Sequence, residues 1–273
     1  MKIINFYKIE NFYILGQFSF YAGLFLLPSA FFISAILFLI ALSIGFFVNK
    51  EGYFKDSLNN FFFLGALMLI ISSAINSIIP LLIKEASISK IFSENVSLFN
   101  WIPIIFGFYG FQPYLSSKNS RKNCVILILL ATFPVIYSVI GQAFFEWHGP
   151  MQTLGGLIVW YQRPIEGITS VTGLFNNQNY LGSWLCLVWP FCLALFLQNE
   201  KSKPKRLLLF LFLISIASII VLTASRAAWL SLLLSIPIMF GRRGTKLFTV
   251  LMSAISIVFL LIFIPIFGEG FQN

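Results

Sequence analysis

The sequence predicts an all-α fold, a polytopic bundle of transmembrane helices with its N-terminus in the cytoplasm. Three observations carry this. Apolar residues make up 59% of the 273 and charged residues only 10%, with a mean hydropathy of +0.91; a soluble domain carries about 25% charged residues. The charges fall between uncharged runs close to the ~20 residues a helix needs to cross a bilayer. The cations also gather on one side of the alternating crossings, as the positive-inside rule requires.

In chain order, residues 11–49 hold no charge and suffice for two helices, with Pro28 and Ser29 at the break. The first run continues into the second, so it reads as a membrane hairpin and not as a cleavable signal. Further uncharged runs cover 57–83, 95–117 and 123–145, then 180–197, 207–223, 227–240 and 247–268. The run 227–240 is short and is expected to borrow Ser225, Arg226 and Gly241. That gives about nine spans in one transmembrane domain, residues 1–273. Unbroken runs of this length favour helices over the alternating strands of a barrel. Two connections are long, 84–98 and 145–179, and both are expected on the outer side of the membrane. Within the second, "GGLIVWY" (155–161) is too short to span and is expected to rest at the interface, with Trp160 and Tyr161 at headgroup level.

With the N-terminus inside, fourteen of the eighteen cations are cytoplasmic, and only Lys84, Lys90, Arg163 and Arg226 lie outside. The net charge of +9 is thereby explained by topology and by attraction to anionic membrane lipid. It is not a sign of nucleic-acid binding. All charged residues lie between spans or at their ends, which weighs against an ion-coupled transporter with a midplane site. The cysteines, Cys124, Cys186 and Cys192, lie in apolar runs and read as small core residues. No HExxH, paired-cysteine or P-loop pattern is present, so neither a metal nor a nucleotide cofactor is expected.

Two polar stretches stand out. "GLFNNQNYLG" (173–182) sets Asn176, Asn177, Gln178 and Asn179 at the outer mouth of a helix. One amide can cap the helix, with Gly173 supplying backbone freedom. A cap uses one amide and not four, which leaves the others for a polar pocket. In "LTASRAAWL" (222–230), Ser225 or Thr223 is placed to cap a helix that opens on Arg226. A cation there opposes the helix dipole. An anion at that point would reverse the penalty, because a guanidinium and free backbone N–H groups both bind phosphate. The plainer alternative is that Arg226 snorkels to lipid phosphates. Arg163, beside Pro164, is a second external cation, and His148, the sole histidine, sits beside Trp147 as an interfacial residue would.

"GLFNNQNYLGSWL" (173–185), followed by "LTASRAAWL", resembles the O-antigen ligase and polymerase family of bacterial membrane proteins. Gly173, Phe175, Asn177 and Asn179 fit the family's Gly-x-Phe-x-Asn-x-Asn pattern, while Gln178 stands where proline is common and Gly182 where alanine is. The resemblance implies a multi-pass protein of the inner (plasma) membrane that handles undecaprenyl-pyrophosphate-linked glycan at the periplasmic face. It implies a metal-independent glycosyltransferase, because the lipid pyrophosphate is itself the leaving group. Arg226 and Ser225 match the family's Ser-Arg position, and Arg226 is the first choice for pyrophosphate contact. Arg163 is a second choice without a motif match, and Asn177 and Asn179 would line the glycan site. The family's large periplasmic loop, which carries a catalytic histidine, would follow about where this sequence stops at "FGEGFQN". The 273 residues are therefore expected to correspond to the N-terminal part of that architecture, with a second polypeptide as one source of the loop. The alternatives are a permease or bicarbonate-transport-associated membrane protein, and a catalytically silent fragment.

Overall fold

A computed structural model describes residues 2–49, 52–82, 101–165, 170–198 and 202–241, with Lys246, Thr249 and Ser253. Its helices are α1 (Lys2–Leu26), α2 (Phe31–Val48), α3 (Ser57–Leu82), α4 (Ile102–Leu115), α5 (Lys118–Phe145), α6 (Gln178–Leu197), α7 (Lys203–Leu222) and α8 (Arg226–Phe240). The expected connection 84–98 lies outside the described residues, as does nearly all of the expected span 247–268. Among the described residues, five helices are long and apolar enough to cross a membrane: α2, the Ser57–Asn76 part of α3, α5, α6 and α7. Large apolar side chains stand exposed along them, among them Phe31, Phe61, Phe133 and Leu208, as a lipid-facing surface requires.

The chain divides into two compact units, Met1–Leu127 and Ile128–Asn273, and the division falls inside α5. In the first unit α1 and α2 form the expected hairpin, turning at residues 27–29. Buried Ser34 of α2 donates from its hydroxyl to the Gly23 carbonyl of α1 (2.8 Å). The core is aromatic: Phe20 lies 5.6 Å from Tyr114 and 4.9 Å from Phe111, ring centre to ring centre. The Tyr114 hydroxyl is satisfied by the Ala41 carbonyl (2.9 Å). Helices α2 and α4 approach closely at two glycines. The Gly110 carbonyl occupies the place where a side chain on Gly45 would begin. Pro113, inside α4, has no N–H to offer the Tyr109 carbonyl one turn back, and Asn49 at the end of α2 donates to that carbonyl (3.3 Å).

In the second unit α6 packs against α7 and α8. The buried Trp184 indole donates to Thr132 of α5 (3.2 Å), whose hydroxyl donates to the Ile128 carbonyl (2.9 Å). At the turn from α6 to α7, the Arg206 guanidinium lies 5.2 Å from the centre of the Phe196 ring. Cys124 and Cys192 are buried, Cys186 is half-buried, and none forms a disulfide.

Two expectations change. Helix α5 begins at Lys118, before the uncharged run opens at 123, because Ser117 caps it by accepting the Ser120 N–H (3.0 Å). The stretch 155–161, expected only to be too short to span, carries regular structure. Ile158–Trp160 forms strand β2, antiparallel to β1 (Met151–Thr153), with Met151 opposite Trp160 and Thr153 opposite Ile158. Gly155 (φ 66°) and Gly156 (φ 91°) make the turn between them in the left-handed region that glycine favours.

Candidate functional site

The connection between α5 and α6 is folded down onto the ends of helices by one glutamine. Gln142, in the last turn of α5 and 1% exposed, uses both ends of its amide. Its Nε2 donates to the Arg163 carbonyl (2.6 Å) and the Thr172 hydroxyl (3.2 Å). Its Oε1 accepts the N–H groups of Thr172 and Gly173 (both 2.9 Å). One turn earlier, the Ser138 carbonyl and hydroxyl accept from Gln162 Nε2 (2.8 and 2.7 Å). Gln162 Oε1 is buried with no hydrogen-bond partner among the described residues. The Tyr161 backbone N–H donates to the Leu174 carbonyl (3.0 Å) and the Gly149 N–H to the Gln162 carbonyl (2.7 Å). Neither Gln142 nor Gln162 stood out in the sequence. The available signal was Ser138 with Gln142, two polar residues four apart on one face of an apolar helix.

The two polar motifs meet. The Val171 N–H donates to the Leu222 carbonyl (3.2 Å), joining the chain two residues before the first motif to the end of α7, where the second motif begins. One turn into α6, a Cβ on Gly182 would come within 2.8 Å of the Ala228 Cβ and 3.6 Å of the Ser225 Cβ. Glycine at 182 is thus what lets α6 lie against the first turn of α8.

Each candidate residue then has a defined setting. Asn177 is the N-cap of α6, its Oδ1 accepting the Asn179 N–H (2.8 Å), so the one amide expected to cap the helix is one that the resemblance assigns to the glycan site. The Asn179 side chain is exposed, and Gln178 accepts from the Ser170 hydroxyl (3.1 Å). Gly173 has φ 55°. Arg226 is the first residue of α8, exposed, with no ion pair among the described residues. Arg163 is exposed, and its backbone is held twice, by Gln142 at the carbonyl and by Thr172 at the N–H (3.1 Å).

The expected cap of α8 is not made. Ser225 occupies the N-cap position without a side-chain bond to the helix. It is buried, and its hydroxyl faces the Gly182 contact with α6. The Thr223 hydroxyl turns back to the Ile220 carbonyl (2.7 Å) and accepts the Ser225 N–H (3.3 Å). The first turn of α8 therefore presents backbone N–H groups without a side-chain acceptor, directly beside Arg226. Between α7 and α8 the chain turns through Ala224, a non-glycine residue at φ 53°. Ala224→Gly should relieve that conformation and raise thermal stability in detergent by about 0.5–1 kcal/mol.

Beside this constellation lies a recess of about 440 Å³ lined by Gln142, Glu146, Trp147, His148 and Pro164, among others. The His148 Nδ1 lies 3.1 Å from the Glu146 carbonyl. Among the described residues, no three His, Cys, Asp or Glu side chains gather as a metal site would need.

The fold defines a class, a multi-pass helical membrane protein. Compared with known proteins, the chain matches no family model, no curated protein and no solved structure.

Proposed function

We propose that the chain is a glycan-transfer protein of the O-antigen ligase/polymerase type. In this reading it crosses the bacterial inner membrane about nine times from a cytoplasmic N-terminus. It holds undecaprenyl-pyrophosphate-linked glycan at the periplasmic face. The observation that carries the proposal is the first turn of α8, where Arg226 stands exposed beside uncapped backbone N–H groups and α6 packs alongside at Gly182.

A diphosphate suits that corner. The guanidinium can donate two parallel hydrogen bonds to phosphate oxygens, and the helix end adds aligned N–H donors. Both interactions strengthen as negative charge builds on a departing diphosphate, so they favour the transition state over the bound lipid. Exposed Asn179 and the Asn177 cap lie at the neighbouring end of α6, where amides can address sugar hydroxyls. Arg163, held by its backbone to Gln142 and Thr172, supplies a second cation on the same connection.

Arg226→Ala in the full chain, reconstituted in nanodiscs, should weaken binding of undecaprenyl pyrophosphate at least about tenfold, the size of a lost charge-assisted pair. Arg226→Lys should recover part of it, since lysine keeps the charge and loses the planar fork. Equal binding by Arg226→Ala and the parent would overturn the proposal.

A further inference from the structure

We propose that the recess at the end of α5 is a separate binding site for an uncharged, hydroxyl-rich ring, a neutral sugar unit. This rests on the glycan reading above for its biological setting but on its own lining for its chemistry. That lining combines a carboxylate (Glu146), an indole (Trp147) and an imidazole (His148), and among the described residues it contains no lysine or arginine. Anions are thereby disfavoured, in contrast to the Arg226 corner. At about 440 Å³ the space lies within the range of about 300–1,000 Å³ typical of small-molecule sites.

The walls are fixed before anything binds. Helix α5 ends in a seven-residue turn closed by a bond from the Trp147 N–H to the Gly141 carbonyl (3.1 Å), with Glu146 in the left-handed conformation at φ 55°. Glycine is the usual residue there. A glutamate in its place accepts a steric cost and brings a carboxylate to the recess. The Trp147 ring is seated on Gly141, where any side chain would collide with it, and meets the Tyr137 ring at 67° with centres 5.2 Å apart. The Glu146 carbonyl can only accept, so a neutral His148 must donate to it from Nδ1, which leaves Nε2 as an acceptor. Gln142, also in the lining, is held by its four hydrogen bonds, and Pro164 is stiff.

These groups match one ligand class. A carboxylate accepts from two neighbouring hydroxyls, an imidazole Nε2 accepts from a third, and a fixed indole offers a flat apolar surface to the C–H groups of a ring.

The test is a titration of the full chain in nanodiscs with methyl hexosides, methyl N-acetylglucosaminide, glucosamine and glucuronate, read by saturation-transfer NMR. Saturable binding of at least one uncharged glycoside is expected. Glu146→Gly, which removes the carboxylate while easing the backbone, should lower that affinity about tenfold or more, and its unchanged or raised melting temperature would show that the fold survives. Absence of saturable uncharged-glycoside binding overturns the proposal. So does equal affinity in Glu146→Gly, and so does tighter binding of glucosamine, which would make the recess a cation site, or of glucuronate. No diphosphate is used, so this result and the Arg226 result stand or fall separately.

Discussion

Gln142→Met should undock the connection between α5 and α6. Methionine matches the length of glutamine and makes none of its four hydrogen bonds. The Thr172 and Gly173 N–H groups would be left without an acceptor in a buried position, at about 1–3 kcal/mol each, and the Arg163 carbonyl would lose its donor. A loss of about 3 kcal/mol or more is expected. It should appear as new protease cleavage between residues 146 and 177 and as a lower melting temperature, while the helices remain inserted. A Gln142→Met protein as protease-resistant as its parent would show that the connection is held by other means. Gln142 fixes the backbone of Arg163 and of the residues leading into Asn177, so under the proposed function any lipid-pyrophosphate binding should fall with it.

Gly45→Val should disrupt the first unit. The first atom of any side chain at 45 would coincide with the Gly110 carbonyl of α4, and backbone cannot move aside as a flexible side chain can. Close approach at small residues is a main source of helix association in lipid. Forcing α2 and α4 apart should cost about 2–4 kcal/mol and lower the detergent melting temperature accordingly. Gly65 of α3 is the internal control. Nothing lies within 4 Å of its would-be Cβ, so Gly65→Ala should raise stability by about 0.5–1 kcal/mol through helix propensity. Similar losses from the two substitutions would remove the close contact as the cause.

What the sequence disclosed was whatever short-range chemistry decides. The α1–α2 break at Pro28 and Ser29, the extent of α6 and the presence of an amide cap at its start depend on neighbours in the chain, and lipid enforces them by leaving no backbone group unpaired. Helix ends proved less legible where charged residues continue a helix beyond its apolar stretch, as Lys118 does for α5 and Lys203 for α7. Gln142 was illegible for a different reason. Its partners lie twenty to thirty positions later, and an isolated amide in an apolar run carries no mark of where they are. Ser225 misled because a local rule, hydroxyl caps helix, lost to a contact with Gly182 on another helix. Of the candidate site, then, the motifs could be read, and their meeting could not.

The hydrogen bond from Val171 to Leu222 has a consequence for the order in which the protein is made. Synthesis runs from the N-terminus, so Gln142 can gather Thr172 and Gly173 as soon as they emerge, before α6 exists. The bond to Leu222 must wait until α7 has been threaded back across, and the contact of Gly182 with Ala228 until α8 has begun. The Arg226 corner consequently forms later than the recess and the folded connection. A nascent chain arrested before residue 222 would already own its recess and its folded connection, yet would lack the meeting of α6 with the first turn of α8.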